Sequence, residues 1–155
     1  MVFLAAALLH FAGGQSWKAA DLEGPYDVVR VVDGDTVRVN INGEETKVRM
    51  IGVNTPESVA SDESRNTPEG EVASEYTKSL LEGKQVYLEY DEERYDKYGR
   101  TLAYIYLDDG KTMVEELLLE GGYAEVMIIP PNDRYETRFR DIAEEAPKPD
   151  ENLEN

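Results

Sequence analysis

Two short segments of the sequence group oxygen-bearing side chains on what the local pattern predicts to be turns. Asp33-Gly34-Asp35-Thr36 supplies two carboxylates, and Asn54-Thr55-Pro56-Glu57 supplies an amide oxygen, a backbone carbonyl and a carboxylate. Such oxygens are the ligands of hard cations, Ca²⁺ or Mg²⁺, rather than of transition metals. Either segment alone is more often a simple turn or loop start, so a metal site depends on both segments meeting.

Two arginines, Arg49 and Arg100, each occupy a polar position beside apolar residues of a predicted strand. Hydrolysis of a phosphodiester needs a cation or donors at the non-bridging oxygens, an oriented water and neutralisation of the leaving oxygen. A guanidinium offers bidentate donors that match phosphate, and it stays charged at any working pH. A single arginine of this kind is more often a solvated strand residue. Only its combination with the oxygen-rich segments indicates phosphate chemistry.

Composition alone argues against a polyanionic substrate. The chain of 155 residues has 33 acidic and 16 basic residues, which gives a net charge of −17. Proteins that bind nucleic acids are usually basic, because Lys and Arg displace counterions from phosphate. A nucleic acid remains compatible if the acidic residues lie away from the site. It also remains compatible if the protein works at high salt, where the Debye length falls to about 3 Å.

The apolar content and the absence of cysteine set further bounds. An apolar fraction of 41% can support the core of one domain. No cysteine is present, which excludes disulfides and thiolate chemistry.

The sequence predicts four consecutive regions. Residues 1–14 are apolar, carry no Lys, Arg, Asp or Glu and are too short to span a bilayer, so we predict a signal peptide and a secreted or cell-surface protein. A start-site artefact or a buried N-terminal helix is the alternative. Residues 15–25 are predicted to be a linker, residues 26–146 the folded domain, and residues 147–155 a disordered acidic tail. The only histidine, His10, precedes the domain, so histidine cannot be its general base. We expect a monomer without stable membrane insertion.

Local patterns predict strands first and helices later. Strands are predicted at 28–32, 36–41, 45–53, 85–91 and 100–107, with the dipeptide Asn42-Gly43 as a hairpin turn. A helix is predicted from the cap Thr67 to Gly83, and the patterns T-x-x-E at 112–115 and D-x-x-E at 133–136 predict capping boxes of two more. This order indicates an α+β domain and is compatible with a small Greek-key barrel of the OB type.

The same segments, in order and approximate spacing, resemble the staphylococcal nuclease-like (thermonuclease) family. The matching stretches are VVRVVDGDTVRV at 28–39, VRMIGVNTPES at 48–58, PEGEVASEYTKSLLEG at 68–83 and DKYGRTLAYIY at 96–106, and the resemblance covers roughly residues 26–145. It implies a five-stranded OB-type Greek-key β-barrel with three α-helices. It also implies Ca²⁺-dependent hydrolysis of DNA and RNA that leaves 3′-phosphate ends.

The resemblance implies a calcium site in the two oxygen-rich segments. Asp35 would be the carboxylate ligand, Asn54 the second side-chain ligand and Thr55 a ligand through its backbone carbonyl. Asp33 would reach the ion through water. The family typically has Asp at the position of Asn54, so this chain loses one negative charge there, and we expect weaker calcium binding or a lower rate.

The resemblance also implies the residues that act on the substrate. Glu57 would be the base that orients the attacking water, and Arg49 and Arg100 would hold the phosphate. Tyr98 could pack on a base, although a partly buried aromatic at a strand end is an equally good interpretation. A non-catalytic OB module that binds nucleic acid is the main alternative to an enzyme. A third interpretation is a metal-binding or acidic structural protein in which both oxygen-rich segments are only turns.

Overall fold

A computed structural model describes residues 21–58 and 66–147 of the chain. The predicted signal peptide at 1–14 lies outside the described residues, as do residues 15–20 of the predicted linker and 148–155 of the predicted tail. These three assignments therefore stay predictions. Within the described part, no helix is both long and apolar enough to cross a membrane.

The described residues form a barrel, three helices and a short accessory sheet. In chain order the elements are β1 (Glu23–Asp33), β2 (Thr36–Ile41), β3 (Glu44–Met50), β4 (Gly52–Asn54), α1 (Pro68–Leu81), β5 (Gln85–Glu89), β6 (Thr101–Tyr106), α2 (Val114–Glu120), β7 (Glu125–Met127) and α3 (Glu136–Glu145). β1 begins three residues before the predicted domain start, because Glu23 pairs with Leu88 of β5.

Five strands close into a barrel in the order β1-β2-β3-β6-β5, with β5 pairing back to β1. The neighbours are antiparallel except for β3 and β6, which run parallel from Val48 opposite Thr101 to Met50 opposite Ala103. This architecture confirms the predicted α+β class and the five-stranded OB-type Greek-key barrel with three helices. The parallel pair matters for the site, because it brings the end of β3 beside the start of β6.

The barrel core follows the period-two alternation of its strands. Val37 and Val39 of β2, Val48 of β3, Leu88 of β5 and Ile105 of β6 are completely buried. Because successive side chains of a strand point to opposite faces, the residues next to these in each strand lie on the outer face of the barrel. Packing of these side chains in the barrel interior therefore fixes the register of the strand pairs, and the register determines where the site residues lie.

The predicted third strand at 45–53 is divided in two. β3 ends at Met50, and β4 leaves the barrel to pair with β7 in a separate two-stranded sheet. Gly52 marks the bend with a φ of +85°, which favours glycine. The ring of Phe139 from α3 packs directly on Gly52, so the bend is covered by a helix.

One of the three predicted helix starts is correct in detail. Thr67 caps α1 by accepting the Gly70 N–H at 3.0 Å, and Pro68 is its first residue. The other two capping boxes are wrong, because α2 and α3 begin after Met113 and Tyr135 without a side-chain cap. The reason at α2 is competition, since the Thr112 side chain binds Asp109 instead.

Glu115, the glutamate of the first expected capping box, is completely buried. Its two carboxylate oxygens lie 3.0 and 3.2 Å from the Ile105 backbone N–H of β6. Burial raises the pKa of the Glu115 carboxyl well above its ordinary value, and the nearby Glu116 and Glu89 carboxylates act in the same direction. The Glu115 carboxyl therefore links α2 to β6 of the barrel. Because its pKa is raised, its contribution to the free energy of unfolding depends on pH.

Replacing Gly52 tests how tightly α3 covers the bend. A β-carbon at Gly52 would lie 2.6 Å from the Phe139 ring, whereas one at Gly43, whose φ is +92°, would meet nothing within 4 Å. Both Gly52→Ala and Gly43→Ala carry backbone strain of about 1–3 kcal/mol. We expect Gly52→Ala to lose about 1–3 kcal/mol more than Gly43→Ala, because only it overpacks the core. Denaturant unfolding measures both, and equal losses would contradict the packing described.

Replacing Glu115 with glutamine tests the buried carboxyl. The folded pKa is raised, so protonation stabilises the fold. That contribution is complete below the unfolded value of about 4.3 and is lost as the pH rises through the folded value. We expect the unfolding free energy of Glu115→Gln, minus that of the unmodified chain, to increase across this window by up to about 1.4 kcal/mol per pH unit. Denaturant unfolding between pH 4 and 8 measures it.

Glu120→Gln is the matched control for this experiment, because Glu120 is exposed on the same helix. Its difference from the unmodified chain should change little with pH. A flat difference for Glu115→Gln would show that the buried carboxyl does not titrate with folding.

Candidate active site

The site is organised around the carboxylate of Asp35, which lies in the tight turn between β1 and β2 and is 5% exposed. One carboxylate oxygen accepts the Thr36 hydroxyl at 2.9 Å. The other accepts the Thr55 backbone N–H at 3.0 Å. The two oxygen-rich segments of the sequence therefore meet directly, through a bond that spans twenty residues of chain.

The Arg49 side chain joins the same cluster. Its Nη2 lies 3.2 Å from Oδ2 of Asp35 and donates to Oδ1 of Asn54 at 3.3 Å. Its Nη1 donates to the carbonyls of Met50 and Val53 at 2.7 and 2.8 Å. The structure thus brings together four of the predicted site residues: Asp35, Arg49, Asn54 and Thr55.

The barrel register explains why these residues meet. Thr36 of β2 is directly opposite Arg49 of β3, and the Met50 N–H donates to the Asp35 carbonyl at 2.9 Å. The chain then bends at Gly52, which returns Asn54 toward the same end of the strand pair. Arg49 spans the bend by binding carbonyls on both sides of it, so it also stabilises the loop that carries the other site residues.

Asp33 forms the outer part of the same turn. Its Oδ1 accepts the Ser58 hydroxyl at 2.5 Å and the Gly34 N–H at 2.9 Å. Burial raises the pKa of the Asp33 carboxyl above its ordinary value, the two hydrogen bonds oppose that shift, and the charges of Asp35 and Glu57 add to it. The carboxylates of Asp35 and Glu57 therefore both act on that of Asp33, a concentration of negative charge that would favour a bound cation.

Glu57 lies on the loop two residues after Thr55, and its side chain is exposed. Its backbone carbonyl accepts the Thr67 N–H at 3.0 Å, which fastens the loop to the start of α1. Within residues 21–58 and 66–147, the Glu57 carboxylate makes no hydrogen bond or ion pair. It is near enough to Asp33 to influence the pKa of that carboxyl.

Arg100 lies beside the cluster without touching it. It directly precedes Thr101, which is opposite Val48 in the parallel β3–β6 pair, so its backbone lies at the same end of that pair as Arg49 but two residues before the level of Leu102, the partner of Arg49. Its Nε forms an ion pair of 2.7 Å with Asp96. Burial pushes the pKa of Asp96 upward, but the hydrogen bonds and charge of Arg100 leave it below its ordinary value. Among the described residues, no side-chain contact joins Arg100 to Asp35.

Tyr98 lies in the loop between β5 and β6, between Asp96 and Arg100, and is 72% exposed. The guanidinium carbon of Arg100 lies 5.5 Å from the centre of its ring, and Nζ of Lys97 lies 5.2 Å from it. The interpretation of Tyr98 as a partly buried strand-end aromatic is therefore wrong. An exposed ring flanked by two cations is available to a ligand.

Several residues that hold the site in place were not predicted from the sequence. Thr77 of α1 donates its hydroxyl to the Gly34 carbonyl at 2.7 Å, and Gly34 packs so closely on Thr55 that a β-carbon would lie 2.8 Å from Oγ1. Ser58 and Asp96 hold Asp33 and Arg100 as described above. For Thr77 a signal existed, because it lies on the helical face otherwise formed by small and apolar residues.

The donor set fits a hard cation in kind but carries little charge. Asp35, Asn54 and Thr55 offer carboxylate, amide and carbonyl oxygens at one place, which is the chemistry that Ca²⁺ prefers. Oγ1 of Thr55 is a further oxygen here, buried without a hydrogen-bond partner among the described residues. In that same part of the chain, no group of three or more His, Cys, Asp or Glu residues has the geometry of a metal site. The cation would therefore depend on neutral oxygens as well as on Asp35.

Comparison with known proteins agrees with this fold. Residues 47–153 match the family described as staphylococcal nuclease homologue. The chain is 42% identical over 134 residues to the thermonuclease of Staphylococcus hyicus, covering 84% of this chain and 76% of that protein. It is 42% identical over 139 residues to the thermonuclease of Staphylococcus intermedius, covering 87% and 79%. It is also 42% identical over 118 residues to the endonuclease YncB of Bacillus subtilis, covering 76% of this chain and 55% of that protein.

The fold and these similarities define a class of nuclease built on a five-stranded barrel. The chain belongs to the staphylococcal nuclease family. The resemblance inferred from the sequence is confirmed.

The substitution Asn54→Asp tests whether Asn54 is a ligand. It would add a negative charge next to the Asp35 carboxylate, and we expect calcium to bind several-fold more tightly, as judged by calorimetric titration of the protein without substrate. Asn40→Asp adds the same charge at an exposed position of β2, four residues along the strand from Thr36, or about 13 Å away. The control should leave calcium affinity nearly unchanged. Equal affinities for Asn54→Asp and the unmodified chain would mean that Asn54 is not a ligand.

Proposed function

We propose that this protein is a Ca²⁺-dependent nuclease that hydrolyses phosphodiester bonds of DNA or RNA at the cluster around Asp35. The enzyme class rests on the family: its members similar to this chain are named thermonuclease and endonuclease, so this chain is a phosphodiester-hydrolysing nuclease. The calcium requirement and the roles of individual residues are the further content of the proposal.

One observation carries the assignment of the site. The Asp35 carboxylate binds the Thr55 N–H and the Arg49 guanidinium at the same time, at 3.0 and 3.2 Å. The oxygen atoms that would bind a hard cation are thereby held in direct contact with the guanidinium that would bind the phosphate. Neither a simple turn nor a loop start requires such an arrangement, whereas phosphodiester hydrolysis needs both functions at one phosphate.

Asp35, Asn54 and Thr55 would hold the calcium ion. When bound, the ion supplies positive charge to a non-bridging phosphate oxygen and makes a nearby water more acidic. Asp33 and Ser58 support the turn from outside through their 2.5 Å hydrogen bond. Accepting a proton from the water and binding the phosphate are assigned to residues of the chain that would contact the substrate.

Glu57 is assigned as the general base. Its carboxylate is exposed and makes no hydrogen bond or ion pair within the described part of the chain, so it is available to accept a proton from the attacking water. Its backbone is fixed by the Thr67 N–H, which keeps the carboxylate near the ligand loop. A positioned carboxylate in this role contributes about 10²–10⁴-fold to the rate.

The two arginines are assigned to the phosphate. Arg100 uses Nε for Asp96, and its two terminal nitrogens make no hydrogen bond among the described residues, so they can form bidentate hydrogen bonds to phosphate oxygens. Arg49 is more committed, since Nη1 and Nη2 together contact four protein oxygens. Arg49 therefore has a double role, holding the ligand loop and contributing positive charge to the phosphate. Tyr98 would stack on a base, a contact worth about 1–3 kcal/mol.

Digestion of single-stranded DNA tests the proposal. With Ca²⁺ we expect cleavage at both low and molar salt, and with chelator none. Glu57→Gln should lower the rate by about 10²–10⁴-fold, because the amide cannot accept a proton. Glu71→Gln, which changes an exposed glutamate of α1 in the same way, should leave the rate unchanged.

Two outcomes would contradict the proposal. Cleavage that persists in chelator would remove the calcium requirement, and full activity of Glu57→Gln would remove the assigned base. Salt-sensitive binding of the oligonucleotide without cleavage under any condition would favour a non-catalytic binding module instead.

A further inference from the structure

The loop that carries Glu57 rests on the first turn of α1. The Glu57 carbonyl accepts the Thr67 backbone N–H at 3.0 Å, and the Thr67 side chain accepts the Gly70 N–H, also at 3.0 Å. Gly70 is buried in this turn, although Glu57 is exposed. The helix therefore fixes the peptide of the proposed base, while its carboxylate makes no hydrogen bond or ion pair with any described residue.

Gly70 determines how closely the loop approaches the helix. A β-carbon on Gly70 would overlap the Glu57 carbonyl oxygen and would lie 2.5 Å from the Glu57 carbonyl carbon and 2.9 Å from the Pro56 carbonyl oxygen. Ordinary contact between such atoms needs about 3.5 Å or more. The atoms in the way belong to the backbone and cannot rotate aside. Any residue other than glycine must therefore displace either the Glu57 loop or the helix.

The helix cannot move without disturbing the other half of the site. Seven residues after Gly70 on the same buried face, Thr77 donates its hydroxyl to the Gly34 carbonyl at 2.7 Å, within the turn that carries Asp35. These two positions lie about 10.5 Å apart along the helix axis, close to two turns. α1 is thus in contact with the ligand turn at one point and with the Glu57 loop at another. Movement of either the helix or the loop would change the distance between Glu57 and Asp35.

We infer that Gly70 is a positioning residue for Glu57, which acts by allowing the Pro56-Glu57 backbone to lie directly against α1. This inference rests on the proposed role of Glu57 as the base. Displacement of a catalytic group by about 1 Å can cost about 100-fold in rate. Helix propensity alone predicts that Gly→Ala would stabilise α1. A positioning role therefore predicts loss of activity at a place where helix propensity predicts only a benefit.

The first test compares Gly70→Ala with the unmodified full chain on single-stranded DNA in the presence of Ca²⁺. We expect kcat to fall about 100-fold. KM should change by less than about threefold, since the proposed phosphate ligands are untouched and only the chemical step is affected. Circular dichroism should show a folded protein. Glu71→Ala, an exposed neighbour in the same helical turn, should retain the full kcat.

The second test combines Gly70→Ala with Glu57→Gln. If Gly70 acts through Glu57, the double variant should be as slow as Glu57→Gln alone, because the position of a missing base no longer matters. Additive losses would overturn the inference, and so would a Gly70→Ala chain that does not fold. An unchanged kcat of Gly70→Ala beside an inactive Glu57→Gln would overturn only this inference. Full activity of Glu57→Gln would overturn the proposed base and this inference with it.

Discussion

The carboxylate of Asp35 is the point at which the whole site is constrained. A nearly buried carboxylate is strongly destabilising unless donors surround it, and here they come from three separate segments. Thr36 begins β2, Arg49 is the penultimate residue of β3, and Thr55 follows the bend at Gly52. Because all three must converge on one side chain, the loop that carries Asn54 and Thr55 has little freedom in where it can lie. The same contacts that satisfy a buried charge therefore assemble the functional groups.

Much of the barrel could be predicted from local patterns, because apolar and polar residues alternate along its strands. The start of α1 could be predicted as well, because Thr67 is followed by a proline and by the apolar face of a helix. The bend at Gly52 could not, since a glycine within a strand pattern does not show in which direction the chain will turn. The first capping box failed for a related reason: Glu115 found a partner in the Ile105 N–H, ten residues away in sequence and in another element. Helix-start signals are local, and a long-range partner can override them.

For the candidate site as well, the sequence indicated which residues take part but not which contacts they make. The family resemblance selected the residues, and four of them do meet. It could not show that the terminal nitrogens of Arg49 form hydrogen bonds within the protein, because these bonds depend on where the bend places the carbonyls of Met50 and Val53. Nor could it show that the guanidinium of Arg100 forms an ion pair with Asp96. Such details follow from the fold, and no sequence spacing contains them.

The parallel pairing of β3 with β6 has a consequence for the order in which the protein matures. Val48 and Thr101 are opposite each other although they are far apart in the chain, so this contact forms only after a long stretch of polypeptide has been closed into a loop. The position of Arg100, which directly precedes Thr101, relative to β3 is set by that pairing. A partly synthesised chain that ends before β6 carries both oxygen-rich segments but cannot form the β3–β6 pair. Closure of the barrel is therefore a late event, and the β6 side of β3 stays unpaired until that strand has been added.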